Sequence, residues 1–188
     1  MMIMPANNAS GIVHYLAGKC PGNVGWCMSP DGWRKPPFYM PYGLDNGAFI
    51  NFDPHAFYGM LQKAKKVHLP LWAACPDVVG DAEATMKMWH IWHNFITFPL
   101  AFVCQDGMEP QDVPEEAFCC FIGGTTKWKL ENAHRFKGVR PWLHIGRVNT
   151  HKRLTWAREI GADSVDGTGF FRGSKEQLAA FITHCCVT

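Results

Sequence analysis

The sequence is short of charge, of paired metal-binding residues and of long apolar runs, and each shortage closes off a class of protein. Asp, Glu, Lys and Arg make up only 18% of the 188 residues, and 18 basic residues nearly balance 16 acidic ones. A net charge of +2 does not by itself announce a nucleic-acid binder. The eight cysteines include no CxxC, and the nine histidines no HxH or HExxH, so no metal site is expected. No apolar run approaches the roughly 18 residues of a membrane span. The first residues also lack the basic-then-apolar pattern of a secretory leader. The expectation is a soluble chain with no membrane partner. Cysteines set inside apolar runs, such as Cys104 in Ala-Phe-Val-Cys, behave as small hydrophobes and point to a reducing, cytoplasmic compartment.

What is present is a regular alternation. Hydrophobic residues make up 47% of the chain, enough for one substantial core, and a single domain over 1–188 is expected. Eight short apolar runs end in Gly, Asp, Asn or Pro: 2–5, 24–28, 42–49, 71–76, 100–104, 119–122, 142–145 and 164–165. Most are followed by a segment of helical spacing, at 10–17, 54–66, 82–95, 127–136, 150–160 and 174–185, with a short turn near Glu115. Asp53-Pro54, Asn149-Thr150 and the Ser174/Gln177 pair offer N-terminal caps, and Gly161 reads as a helix stop. The segment 29–40, rich in Pro, Gly and aromatics, replaces one helix and is expected to loop over a barrel mouth. Eight β/α units predict a compact (β/α)8 TIM-like barrel, below the usual ~200 to 250 residues and so built with short connections. A doubly wound open sheet is the competing architecture, but no GxGxxG follows the first run.

In a parallel barrel, chemistry gathers just beyond the C-terminal ends of the strands. Those positions hold Asn7 and Asn8, Ser29, Asp45 and Asn46, Asp77, Gln105 and Asp106, Gly123-Gly124, Arg147 and Asp166. One strand-end aspartate alone is more often a cap or a turn residue. Several converging on one pocket allow division of labour, because mutual repulsion and desolvation drive carboxyl pKa values apart. Cleavage at a glycosidic carbon, with a covalent sugar intermediate on one carboxylate, suits such a set. Residues 127–175 hold 11 basic residues against four acidic, and residues 77–116 eight acidic against one lysine. Arg147, Lys152 and Arg153 are therefore candidate phosphate contacts, with a solvated helix face as the alternative. Gly167 and Gly169 around Thr168 could offer amides to a sugar phosphate, and Phe49 and Trp33 are candidates for stacking on a base. His144 lies within the seventh run, with its direction undetermined.

Five of these segments, in order, resemble the tRNA-guanine transglycosylases, and among them the short phage and bacterial proteins that insert 7-deazaguanine into DNA. Asp45-Asn46-Gly47-Ala48-Phe49 is similar to the family's Asp-Ser-Gly-Gly-Phe. Asp77 falls at a base-recognising aspartate, and Phe102-Val103-Cys104-Gln105-Asp106-Gly107 is similar to a Val-Gln-Gly segment. Phe121-Ile122-Gly123-Gly124 resembles a Gly-Gly at the purine edge, and Asp166 takes the place of the nucleophile. The zinc-binding insertion is absent, Ala48 replaces a glycine and Ile50 a glutamine. The resemblance implies exchange of guanine for a 7-deazaguanine in DNA, or in tRNA, without a cofactor. Asp166 would attack C1′ and Asp45 would move the proton. Asn46, Gly47, Phe49, Asp77, Gln105, Gly123 and Gly124 would hold the base. By the same analogy the protein would work in the cytoplasm, that of the host if phage-encoded, as a homodimer or with an accessory protein. Hydrolysis by an N-glycosidase on the same carboxylates is the alternative, and a barrel that binds nucleic acid without catalysis is a third reading.

Overall fold

In the computed structural model, residues 1–172 and 175–186 are described. The eight apolar runs form eight parallel strands: β1 (Met2–Pro5), β2 (Trp26–Met28), β3 (Tyr42–Leu44), β4 (Trp72–Ala74), β5 (Leu100–Cys104), β6 (Cys119–Ile122), β7 (Trp142–Ile145) and β8 (Ser164–Gly167). Their order is β1-β8-β7-β6-β5-β4-β3-β2, every pair parallel and sequence neighbours adjacent. β1 and β2 are joined by bridges at Ile3–Val24 and Ala6–Cys27, which bring the sheet round into a barrel. Helices α1 (Gly11–Lys19), α2 (Pro54–Ala64), α3 (Ala82–Trp92), α4 (Thr126–Asn132), α5 (His151–Glu159), α6 (Gly169–Arg172) and α7 (Lys175–Cys186) follow strands, and the whole is a compact (β/α)8 TIM barrel.

Period-two alternation sorts each strand between two cores. Ile3, Met28, Leu44, Ala73, Phe102, Ile122, Ile145 and Val165 face the helices. Met2, Met4, Cys27, Trp72, Ala74, Ala101, Val103, Cys119 and Phe121 fill the barrel itself. Among these, Trp72 is fully buried and supplies the bulk. Its indole meets Phe121 at 5.3 Å and His144 at 4.5 Å between ring centroids. Gly43 on β3 leaves it room, since a Cβ there would lie 2.5 Å from the indole.

The caps expected at Asp53 and at Asn149-Thr150 form, the latter through Thr150, and Asp81 adds one not expected from the sequence. Asp53 accepts from the backbone of His55 and Ala56, Asp81 from Ala84, and Thr150 from Arg153. Gly161 stops α5 with φ +78°. The Ser174 cap falls outside the described residues. Other expectations need correction. β3 ends at Leu44, not at 49, because Asp45 and Asn46 turn the chain by accepting from Gly47 and Ala48. Most of 29–40 does not cover the mouth: it runs beside α1, where Tyr39 meets His14 at 2.8 Å. Arg34, Lys35 and Phe38 line a shallow groove there. Trp33 packs against the outer core rather than waiting for a base. The turn near Glu115 is preceded by a single 3-10 turn at Pro110–Asp112.

Candidate active site

The C-terminal ends of the strands surround a cavity of about 480 Å3, the size of a small-molecule site. Asp45, Asn46, Gly47, Phe49, Asp77, Gln105, Gly123, Gly124, Arg147 and Asp166 all contribute to its wall. Alternation explains three of them. Asp45, Gln105 and Asp166 continue the inward-facing series of Gly43, Val103 and Ser164, so each carries the barrel interior up into the mouth. Asn7, Ser29, Asn149, Gly167 and Thr168 add further polar wall. Lys152, exposed, and Arg153, half-buried, lie in the first turn of α5 and are not part of this wall. Asp106 is occupied elsewhere, accepting from the backbone and hydroxyl of Thr125 just before α4.

On one side of the cavity the polar groups satisfy one another. Asp77 accepts from Asn46 Nδ2 at 2.7 Å and from Gln105 Nε2 at 2.7 Å, one bond to each oxygen. Gln105 Oε1 accepts from the backbone of Gly80 and of Gly124. Gly124, at φ +47°, has no space for a Cβ between Asp106 and Trp128, so the turn that aims its amide inward requires glycine. Burial pushes the Asp77 carboxyl up to about 6, against the downward pull of the Asn46 hydrogen bond and the Arg147 charge.

Asp45 stands across from this network with one backbone partner, Gly47 N–H at 2.9 Å. Gly47 is at φ +80°, a left-handed turn that places its amide on the carboxylate. Burial, and then the Asp166 charge, push the Asp45 carboxyl up to about 7, although the Gly47 amide opposes the shift. Asp166 is held at both oxygens: the Arg147 amide donates to Oδ1 at 3.0 Å, and His144 Nε2 lies 3.0 Å from Oδ2. Arg147 reaches that amide position with a left-handed φ of +60°. Its guanidinium donates to the Gly123 and Gly124 carbonyls and lies 4.5 Å over the Phe49 ring. Arg147 thus ties the loops after β3, β6 and β7 together.

Two residues near the site carried little signal in the sequence. His144 points inward, and its place beside Asp166 follows from the β7–β8 register, which pairs it with Ser164. Lys129, on α4 and buried, donates to the Gly146 carbonyl beneath the mouth. Burial and then the Arg147 charge lower its ammonium to about 7. Among the described residues, no group of three His, Cys, Asp or Glu side chains could hold a metal ion. No helix there is long and apolar enough to cross a membrane.

Fold and site together define a TIM barrel with a carboxylate-lined cavity at the C-terminal end of its strands. No protein-family model matches the chain, and no curated protein matches it in sequence. Solved structures do. Phosphoribosyl anthranilate isomerase from Thermus thermophilus superposes with a TM-score of 0.56 over 98% of both chains at 10% identity. 3-Hexulose-6-phosphate synthase gives 0.54 over the whole of both chains at 12% identity. The native KDPGal structure gives 0.53 at 12% identity, over 97% of this chain and 93% of its own. At these identities the likeness shows the fold.

The resemblance to tRNA-guanine transglycosylases is corrected by these comparisons, and exchange of guanine for 7-deazaguanine in DNA falls with it. The physical reason lies in the motifs. Asp-x-Gly turns, a Gly-Gly and a terminal aspartate are short patterns that the polar strand ends of unrelated barrels can also carry. The set expected to read a base edge is here closed on itself, since Asn46 and Gln105 both donate to Asp77.

Proposed function

We propose that this chain is an enzyme of general acid–base chemistry, moving protons on a small polar carbonyl compound in an isomerase- or lyase-type reaction. The reading is carried by one observation: a single cavity holds Asp45, raised to about 7, together with Asp166, whose charge helps raise it. A carboxyl raised in this way is suited to give a proton near neutral pH, and a second carboxyl in the same cavity is placed to take one. Asp166 takes a proton from the carbon beside the carbonyl. The electron pair moves into a C=C bond as the C=O bond opens, and Asp45 gives its proton to the carbonyl oxygen. Where that carbon carries a hydroxyl the product is an enediol; Asp166 then gives its proton to the former carbonyl carbon while Asp45 takes the proton of the other hydroxyl, which completes an isomerisation. No oxidant or cofactor enters the balance.

The wall also suits such a ligand. Asn7, Asn149 and Thr168 provide polar contacts around a centre built by Val103 and Phe121. Two similar folds are named as an isomerase and a synthase, of phosphoribosyl anthranilate and of 3-hexulose-6-phosphate, which favours hydroxycarbonyl compounds as the first panel.

The test is deuterium wash-in. The protein is incubated in D2O with hydroxyketones and aldose and ketose phosphates, and loss of the carbon-bound proton is followed by NMR. At least one compound is expected to exchange, with Asp166→Asn and Asp45→Asn each slowing it by about 100-fold or more. Exchange at equal rates in wild type and both variants would contradict the assignment.

A further inference from the structure

Below Asp166, the barrel interior contains a chain of polar groups that the proton-transfer scheme does not use. Trp142 Nε1 donates to Ser164 Oγ at 2.8 Å. Ser164 Oγ lies 2.7 Å from His144 Nδ1, and His144 Nε2 lies 3.0 Å from Asp166 Oδ2. Ser164 and His144 are both completely buried. Neither line the cavity, so no substrate touches them. The imidazole is enclosed by Trp72 at 4.5 Å and Phe121 at 4.4 Å between ring centroids.

We propose that Trp142, Ser164 and His144 form a positioning chain that holds His144 in its Nε2–H tautomer and so fixes the carboxylate of Asp166 for its role at the cavity. The direction of the chain follows from its ends. An indole N–H only donates, so Ser164 Oγ receives it and has its own proton free for His144 Nδ1. A nitrogen that accepts at Nδ1 leaves the single proton of a neutral ring at Nε2, where it faces the Asp166 carboxylate. The opposite tautomer would set an unprotonated Nε2 against that carboxylate. The surroundings favour the neutral ring. Burial lowers the His144 pKa, the Asp166 charge opposes this, and the Lys129 ammonium adds to the lowering. With the Arg147 amide on Oδ1 and the His144 N–H on Oδ2, the carboxylate is held at both oxygens by donors from β7 and the loop that follows it. His144 is thereby a positioning residue for Asp166 and not a proton-transfer group.

The inference rests on the proton-transfer reading only for what Asp166 does, and its test separates the two. 15N NMR of histidine-labelled protein assigns the tautomer from the two ring-nitrogen shifts, with His144→Phe identifying the signal. The expected result at pH 8 is a neutral ring with a protonated Nε2 and an acceptor Nδ1. Ser164→Ala is expected to remove that pattern, giving mixed tautomers, while lowering wash-in about tenfold with the apparent KM unchanged. A Nδ1–H tautomer or an imidazolium in the wild-type protein overturns the proposal, as does a Ser164→Ala protein with unchanged ring shifts or, where the wild type exchanges a compound, with unchanged wash-in. If the Nε2–H pattern is found and lost in Ser164→Ala while no compound exchanges in the wild type, the chain stands and the proton-transfer reading fails.

Discussion

Asp45 and Asp77 hold their carboxyl groups above the usual range for the same first cause, burial, but differ in what opposes it. Asp77 has side-chain donors on both oxygens, whereas Asp45 has one backbone amide and the Asp166 charge as a neighbour. The consequence for stability has a definite sign. Between the ordinary value of 3.8 and about 7, the native protein binds a proton at Asp45 that the unfolded chain has released. Stability from this group is therefore full at low pH and is lost as pH rises through about 7. Asp45→Asn removes that loss while keeping an acceptor for Gly47, so at pH 8 the variant is expected to be more stable by about 2–4 kcal/mol, with no difference near pH 4. Urea denaturation at the two pH values measures it. A variant no more stable at pH 8 than at pH 4, relative to wild type, would show that the cavity does not desolvate this carboxyl.

At the scale of the elements, the barrel is organised around one large side chain. Trp72 on β4 occupies the interior, Gly43 leaves it room, and Ala74, Ala101, Cys27 and Cys119 in the same interior cluster are small. Gly43→Ala brings a methyl group against the indole and is expected to cost about 1–3 kcal/mol by overpacking. Trp72→Ala is expected to cost about 3–5 kcal/mol by opening a cavity. Thermal unfolding of each variant checks the pair, and a neutral Gly43→Ala would mean that the indole is free to move. Much of this layer was legible in the sequence, because apolar runs of four or five residues such as 100–104 and 119–122 become strands with those bounds. The inward parity of Asp45, Gln105 and Asp166 was legible once the strands were placed. The length of β3 was not, since Tyr-Gly-Leu-Asp-Asn-Gly reads as one run until the side chains of Asp45 and Asn46 are seen to turn it. α6 is four residues long and gave no periodic signal. The direction of His144 was hidden because both faces of β7 are apolar neighbours, and only its pairing with Ser164 reveals it. The mutual bonds of Asn46, Asp77 and Gln105 join three loops, and such long-range satisfaction cannot be read from spacing. For that reason the same residues resembled a base-reading set.

At the scale of the whole molecule, the short connections leave one barrel with one core inside the sheet and one outside it. Calorimetry is expected to give a single cooperative transition, as for one domain. The cysteines fit that picture: Cys27, Cys75, Cys104, Cys119, Cys120 and Cys185 are buried and free, and Cys186 is exposed. Native thiol titration is expected to label Cys186 rapidly and those six only on unfolding. The fold brings Asp45 and Asp166 into one cavity, where the Asp45 carboxyl is raised to exchange its proton near neutrality. The most direct measurement is 13C NMR of the aspartate side-chain carboxyls in the intact protein from pH 3 to pH 9, with Asp45→Asn assigning the signal. The account predicts a carboxyl that titrates at about 7 and disappears in the variant. An Asp45 carboxyl titrating at its ordinary 3.8 would contradict it.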